Sequence, residues 1–529
     1  MDSTPPSRSR PADAPWLPLA GLLLLAAGLR VLFYSGYFGS DEVTYTESAF
    51  KLLRGDWSVS SYVGANRYGV NLPVAAIAAL LGRNEVAAAL YSVACSLAEI
   101  ALVVVIGSQM VGRRAACFAG LVLATLPMHA HLAGRLLADS PLALAITAGF
   151  LLFWLGEARG SRPALFAAGL AVGWSFWIKP AAVFYVLVLM SYPVVFRRWS
   201  WRWSWVVAGF ALMVLANCAL FWALTGRFWY LFEVMSARRS SGYLQEEFAA
   251  GNQHEAAWYY LEYLYAKVWH TWLLGPLALA GAVLVLWRAR AAEAVRAHGL
   301  HFALWWGAGL MLVLSLFVVS TRPLTLVPKQ TNYMLMFAAP LALLAGCALA
   351  SLRGRAFGLA VLAWTVPAVL LCGLLQGTIT VFTANAKAVH RWAAERPQAV
   401  VYATTNPYRY AQFHATVHPE ARPPDVRFVG DLAPRAAAAA RPPRPAGEAY
   451  AVIDEETLSW GSGEPYRRLA DVPACWVPQG TLPPVVAGGG PALAAGVARL
   501  VPPDSPWAGR LRRLHQPAPA HLYRVPAGC

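Results

Sequence analysis

Three carboxylates lie close together in the stretch YFGSDEVTYTESAF: Asp41, Glu42 and Glu47. A carboxylate beside a hydroxyl can act as a general base, so this cluster is a candidate for proton transfer. A structural role also fits the pattern, because Ser40 could cap a surface helix whose first turn carries the acidic residues. Glu47 stands three residues after Thr44, which is a capping-box spacing.

A further acidic residue, Asp139, lies in HAHLAGRLLADSPLALAI, four residues after Arg135. A helix over both residues would place them on one face. An ionisable group near hydrocarbon costs about 2.5–3.5 kcal/mol on insertion scales and is a functional candidate by default. The alternative is an intrahelical ion pair at the interface. His129 and His131 are a weak metal pattern, and their position favours interfacial hydrogen bonding.

Cations accompany these carboxylates at the predicted outward ends of helices. Fixed Lys and Arg donors stabilise a phosphate leaving group, so several cations would serve a site that receives an anionic lipid phosphate. Some of these cations could instead be snorkelling side chains, which extend their charged ends from the membrane to water. The candidates are Arg67, Lys179, Arg238, Arg239, Lys267, Arg322 and Lys329.

The composition places these residues in a membrane. The 529-residue chain is 58% hydrophobic and 13% charged, whereas a soluble domain carries about 25% charged residues. Runs long enough to span the bilayer predict a polytopic α-helical protein with about eleven transmembrane helices. The runs cover residues 16–34, 84–107, 115–132, 139–156, 163–178, 180–196, 203–224, 271–287, 301–320, 332–351 and 357–380.

Loop charge predicts the orientation. With a cytoplasmic N-terminal tail, residues 1–15, every second connection is basic, as the positive-inside rule requires. These basic loops account for most of the net charge of +16, which argues against nucleic acid as a partner and favours anionic membrane lipids. The cytoplasmic loops are short and contain no P-loop pattern. Chemistry is therefore expected on the outer face, in the long connections 35–83 and 225–270 and beyond residue 380.

The C-terminal part changes character. Residues 16–380 form the predicted transmembrane domain, and residues 381–529 a small outer α/β domain with a helix near 385–396. Four short strand-like runs support this domain: AVVYATT, VRFVGDL, EAYAVIDEE and HLYRVPA. Cys475 and Cys529 both lie in it, and in an oxidising periplasm they are candidates for a disulfide.

Several motifs together resemble the GT-C class of membrane glycosyltransferases, in the dolichyl-phosphate-mannose protein mannosyltransferase superfamily. The bacterial aminoarabinose and Rgt-type galacturonosyltransferases are similar. The resemblance covers residues 16–350 and rests on the order and placement of SDEVTYTESAFKLLRGDW, GRLLADSPLALA, AAGLAVGWSFWIKPAA, AAWYYLEYLYAKVW and VPKQTNYMLMFAAPLALLAG.

The resemblance implies roles for individual residues. Asp41 becomes the general base or a metal-associated acid, with Glu42 beside it, and Asp139 matches the second acidic position. The resemblance makes Arg135, Lys179, Lys329 and Tyr333 candidates for the lipid phosphate and its sugar. At NRYGVNLP the chain departs from the basic, Pro-rich motif of many relatives, and there Arg67 is the substitute basic group. A divalent metal stays open, because the carboxylates lack a DxD spacing.

These features predict an inverting transferase. It would move a sugar from a polyprenyl-phosphate donor to a hydroxyl of a lipid, glycan or protein acceptor of the envelope. High Ala, Arg and Pro usage indicates a GC-rich bacterial source, which favours a Gram-negative inner membrane as the location. The main alternative is a transporter or lipid flippase, which would show inverted repeats and midplane charges. A third possibility is a non-catalytic membrane scaffold that presents the outer domain.

Overall fold

The computed structural model describes most of the chain from residue 16 to residue 529. Residues 1–15, 181–182, 241–247, 249–250, 252, 289–293, 323, 433–447, 457–464, 467 and 528 are not described. The predicted cytoplasmic tail therefore lies outside the described residues.

The described chain is mostly helical, and each of the eleven predicted apolar runs coincides with a helix or a helix pair. Six helices are long and apolar enough to cross a membrane, or seven if one bent pair counts as a single span. The predicted polytopic membrane architecture is confirmed, while the count of eleven spans stays a prediction. The helices are α1 Trp16–Leu32, α2 Glu42–Leu53, α3 Tyr68–Leu81, α4 Glu85–Val111, α5 Arg113–Thr125, α6 Pro127–Ala133, α7 Asp139–Arg159, α8 Arg162–Ile178, α9 Val183–Phe196, α10 Ser204–Thr225, α11 Tyr230–Ser240, α12 Tyr259–Ala266, α13 Val268–Thr271, α14 Leu274–Arg288, α15 Ala294–Leu316, α16 Leu335–Ser351, α17 Gly354–Ala394, α18 Thr405–Val417, α19 Gly489–Ala498 and α20 Pro506–His515.

One predicted span, residues 115–132, is broken in the structure. The axes of α5 and α6 differ by 60°. Pro127 causes the break, because a proline pushes the residue before it out of the helical region. Leu126 accordingly has extended dihedral angles, and Pro127 starts α6.

The long connection after α1 carries two helices. The amphipathic α2 ends at Leu53, shortly before Gly55, which has a φ of +75°. The second helix, α3, was not predicted, although it contains the apolar run VAAIAALL. Both helices pack against each other next to the segment that carries Asp41.

A buried helix forms the centre of the membrane-embedded part. In α16 the apolar window is 89% buried, so this helix contacts protein on nearly all sides. Aromatic rings fill the space between its neighbours, for example Phe150 of α7 stacked on Trp306 of α15 at 5.0 Å between ring centroids. A helix that is apolar all round and enclosed in this way fixes the positions of the helices around it.

The outer domain begins as a continuation of the last long helix. At 1.5 Å per residue, the 41-residue α17 is about 60 Å long, roughly twice the thickness of the hydrocarbon core. The helix expected near residues 385–396 is the end of α17, and the predicted domain boundary at residue 381 falls inside it.

The predicted sheet is present and has one more strand than expected. Its strand order is β4-β3-β5-β7-β6, with β3, β4 and β5 parallel and β7 antiparallel to both neighbours. The strand missed by sequence is β6, which contains a proline and a glycine. The strands are β3 Val400–Ala403, β4 Asp425–Phe428, β5 Ala449–Ile453, β6 Val477–Leu482 and β7 Ala520–Arg524, after the hairpin of β1 Val318–Thr321 and β2 Leu324–Leu326. Cys475 and Cys529 are disulfide-bonded, with their Cα atoms 5.9 Å apart.

Candidate active site

Asp41 lies at the start of α2 and accepts hydrogen bonds from two tyrosines. Tyr45, one turn further along α2, donates to Oδ2 at 2.9 Å, and Tyr62 donates to Oδ1 at 3.0 Å. Arg67 approaches Oδ2 at 3.6 Å and also donates to the Tyr45 hydroxyl. The Asp41 side chain remains 33% exposed. The carboxylate is therefore oriented by three groups and still reachable from outside.

Ser40 does not cap α2 through its side chain. The helix begins at Glu42, and the backbone N–H of Ser40 donates to Glu42 Oε2 at 2.8 Å. The predicted Ser40 side-chain cap is therefore absent, whereas the predicted carboxylate in the first turn is present as Glu42.

Glu42 forms a buried ion pair with Arg135. The Nε and Nη2 atoms of Arg135 donate to Glu42 Oε1 at 3.0 and 2.8 Å, and both residues are buried. The guanidinium of Arg135 also lies over the ring of Phe38, 4.1 Å from its centroid. Buried charges require such pairing, so Glu42 holds Arg135 in place rather than facing an open space.

Asp139 belongs to a second group of charges. It is the first residue of α7 and accepts a hydrogen bond from Asn332 at 2.9 Å. Lys179, at the end of α8, lies 3.6 Å from the same carboxylate and 4.3 Å from the ring centroid of Tyr333. The structure thus brings together three of the predicted residues, Asp139, Lys179 and Tyr333, from three separate parts of the chain.

The expectation that Arg135 and Asp139 share one helical face is wrong. Arg135 lies between the end of α6 and the start of α7, outside any helix. Each residue has a different partner, Glu42 for Arg135 and Lys179 for Asp139. The chain is non-helical from residue 134 to residue 138, and α7 begins only at Asp139, so a spacing of four residues does not place them on one helix.

Lys329 contacts backbone carbonyls rather than the acidic side chains. Its Nζ donates to the carbonyls of Glu255 and Val327 at 3.0 and 3.1 Å, and its backbone pairs with that of His254. Burial lowers the pKa of Lys329 to about 8. Lys329 therefore ties two outer connections together, and its proposed contact with a lipid phosphate stays a prediction.

Residues of the outer domain form hydrogen bonds with the segment that leads to Asp41. Tyr37 donates its hydroxyl to the backbone and side-chain oxygens of Asn406 at 2.9 and 2.8 Å, and Arg409 donates to the carbonyl of Gly39. Gly39 has a φ of +100°, and a Cβ there would lie 2.2 Å from Asn406 Oδ1. Only glycine fits this close approach.

A buried polar network inside the helical bundle was missed by sequence reasoning. Arg30 donates to His129 Nδ1 at 2.7 Å, and His129 Nε2 lies 3.0 Å from Glu99 Oε2. Because arginine only donates, Nδ1 of His129 is the acceptor and Nε2 carries the proton. His129 is thus an internal hydrogen-bonding residue. Glu99 lies in the middle of α4, so not every ionisable residue clusters at the outer ends.

Three other residues at the site escaped prediction: Tyr45, Tyr62 and Asn332. Tyr45 had a usable signal, since it follows Asp41 by four residues on one helix. Tyr62 and Asn332 had none, because their partners are 21 and 193 residues away. Within the described ranges, no group of three or more His, Cys, Asp or Glu side chains is arranged to hold a metal ion.

Comparisons with known proteins concern the fold of the chain. Residues 70–224 match the family described as dolichyl-phosphate-mannose-protein mannosyltransferase. ArnT from Cupriavidus metallidurans is similar in structure over 97% of this chain and 98% of its own, with 18% identity and a TM-score of 0.54 in the apo state. Its complex with undecaprenyl phosphate has 17% identity, the same coverage and a TM-score of 0.56.

A more distant similarity is to the oligosaccharyltransferase of Archaeoglobus fulgidus in the apo form. It has 12% identity and a TM-score of 0.51, over 76% of this chain and 64% of that one. No curated protein matches by sequence. The fold expected from its motifs, that of the GT-C membrane glycosyltransferases, is therefore confirmed over nearly the whole chain.

Proposed function

We propose that the protein transfers a sugar from a polyprenyl phosphate to a hydroxyl of an envelope acceptor, with Asp41 as the general base. The observation that carries the proposal is the environment of Asp41. Its side chain is 33% exposed, whereas those of Glu42 and Asp139 are 1% and 3% exposed. Of these three carboxylates, Asp41 is the one that an incoming hydroxyl can reach.

The contacts of Asp41 suit a base. Hydrogen bonds from Tyr45 and Tyr62, together with the nearby guanidinium of Arg67, fix the direction of the carboxylate. In the proposed step the acceptor oxygen forms a bond to the anomeric carbon while the bond from that carbon to the phosphate oxygen breaks. The acceptor proton passes to Asp41, and the bonding electrons leave with the phosphate. Direct displacement inverts the anomeric centre.

The leaving group needs cations rather than an acid. A phosphate monoester has a second pKa of about 6, so it departs without protonation near neutral pH. Arg67 is suited to bind it, because its Nε is buried and has no hydrogen-bond partner in the described part of the chain. Lys179 is a second candidate, held between Asp139 and Tyr333 with 10% of its side chain exposed. Fixed cations of this kind stabilise the charge that develops on the phosphate.

The polyprenyl phosphate donor is supported by one structural neighbour. ArnT from Cupriavidus metallidurans has been solved with undecaprenyl phosphate bound, and its fold covers 97% of this chain. The pattern of basic loops supports a cytoplasmic N-terminus with the outer domain on the opposite, periplasmic side of a bacterial inner membrane, which the high Ala, Arg and Pro usage favours. In that orientation the donor would present its sugar on the periplasmic side, where Asp41 lies.

A donor screen tests this proposal. Purified protein in nanodiscs is mixed with extracted polyprenyl-phosphate sugars or with nucleotide sugars, together with envelope acceptors. We expect single-turnover transfer from a polyprenyl-phosphate sugar and none from nucleotide sugars. The anomeric configuration of the product, read by NMR, is expected to be inverted. Transfer from a nucleotide sugar alone would refute the proposed donor, and retention would refute the single-base displacement.

A further inference from the structure

A cavity lies beside Asp41. It has a volume of about 310 Å³ and lies between the outward face of α2 and the segment that leads into α3. Glu47, the third carboxylate of the acidic cluster, lines it together with Ser48. The volume is at the small end of the range for ligand sites, which is about 300–1,000 Å³.

The wall of the cavity is rich in groups that bind hydroxyls. Hydroxyl side chains line it from both sides, including Thr44 and Ser60, and two amides, Asn66 and Asn71, complete it. Asn71 is 2% exposed, and its Nδ2 donates to the carbonyl of Ala65 at 2.7 Å. Its Oδ1 has no hydrogen-bond partner in the described part of the chain. A buried acceptor without a donor is costly, and a hydroxyl from an occupant would satisfy it.

Tyr62 connects this cavity to the base. The residue lines the cavity, and its hydroxyl donates to Asp41 Oδ1 at 3.0 Å. Tyr62 is 40% exposed, and its ring offers an apolar face to the C–H groups of a sugar ring. A molecule bound in the cavity and touching Tyr62 therefore lies next to the proposed base.

The charges of the wall argue against an anionic occupant. The charged side chains that line the cavity are Glu47, Asp56 and Lys51, and Lys51 pairs with Asp56 at 3.6 Å. Glu47 is left as the excess charge, so the cavity is slightly negative. A phosphorylated or uronic acid segment would be repelled, since like charges at close range are unfavourable.

We propose that this cavity binds the acceptor through a neutral, hydroxyl-rich glycan segment adjacent to the hydroxyl that is glycosylated. This inference rests on the proposed function, because it assigns the donor phosphate to the cations around Asp41 and Asp139 and the acceptor to the α2–α3 cavity. The acceptor is thereby specified as a glycan whose reactive end carries no phosphate or carboxylate.

A binding experiment tests the cavity without requiring turnover. Full-length protein in nanodiscs is applied to an array of neutral, phosphorylated and uronic acid-containing bacterial oligosaccharides and of peptides. Undecaprenyl phosphate binding is measured separately by quenching of tryptophan fluorescence. We expect neutral oligosaccharides to bind wild type and to bind at least tenfold more weakly to Asn71→Leu. The same loss is expected for Ser48→Trp, because the indole would fill the cavity. Ser48 is half-buried, and its side chain makes no hydrogen bond among the described residues, so this substitution breaks none.

The matched control is Asn217→Leu. Asn217 in α10 is also 2% exposed with an unpartnered Oδ1, but it does not line the cavity, so glycan binding should be unchanged. Preference for anionic glycans or for peptides would overturn the inference, as would glycan binding insensitive to both cavity variants. Absence of glycan binding while undecaprenyl phosphate still binds would also overturn it. If wild-type protein does not bind undecaprenyl phosphate, the result would instead count against the proposed donor.

Discussion

The buried ion pair between Glu42 and Arg135 leads to a quantitative prediction. Arg135→Met removes two hydrogen bonds, at 3.0 and 2.8 Å, and leaves Glu42 charged and 1% exposed. Removing one partner of a buried pair costs about 3–5 kcal/mol. Unfolding entropy is about 2.1 cal/mol/K per residue, so for a chain of this length the expected decrease in Tm is about 3–5 °C.

The double variant Glu42→Gln/Arg135→Met separates charge from packing. Because it leaves no unpaired charge, we expect it to recover most of the lost Tm, as buried pairs replaced by neutral groups often cost little. The assay is thermal unfolding of the purified proteins in one nanodisc preparation, followed by tryptophan fluorescence. An Arg135→Met protein with the wild-type Tm, or a double variant as unstable as the single one, would refute the buried pairing.

Three further predictions concern neighbouring residues. Gly39→Ala should disrupt the contact of the outer domain with the Asp41 segment and strongly reduce sugar transfer. Gly55→Ala is the control and should leave transfer unchanged. Both glycines have positive φ, but of the two only Gly39 would bring a Cβ against another group, the side chain of Asn406. Equal transfer rates in the two variants would contradict this. Lys329 has a pKa of about 8 in the folded state, below its usual 10.5. As the pH rises, the folded state therefore releases this proton before the unfolded state does. The free energy of unfolding should rise between pH 8 and 10.5 relative to that of Lys329→Met. Parallel pH profiles of Tm for the two proteins would exclude this shift. Lys179→Met should weaken undecaprenyl phosphate binding by about tenfold or more, since it removes a fixed cation; unchanged affinity by titration would remove Lys179 from the phosphate site.

Much of the helical architecture could be predicted from local sequence. Apolar runs marked every long helix, because burial in lipid requires a continuous apolar stretch. The signal was weaker where a proline interrupts a run, as at Pro127, and where a short outer helix such as α3 follows a polar loop. The continuity of α17 past residue 381 was hidden, since its outer end is polar and resembles a separate surface helix.

The candidate site was predictable in its residue types but not in its pairings. Asp41 stood out because a carboxylate cluster next to a membrane span is unusual. The partners of the buried charges could not be read locally, since Glu42 and Arg135 are 93 residues apart and Asp139 and Asn332 are 193 apart. Such contacts depend on how the helices pack, which a single sequence pattern does not encode.

The most direct test of the account is the rate of sugar transfer by Asp41→Asn. The amide keeps the shape of the side chain but cannot accept the acceptor proton, so single-turnover transfer should fall by at least a hundredfold while the Tm stays close to wild type. Asp425→Asn is the matched control, because Asp425 is an exposed aspartate of the outer sheet paired with Arg427, and its transfer rate should equal that of wild type. An Asp41→Asn protein that transfers sugar as fast as wild type would contradict the assignment of Asp41 as the base.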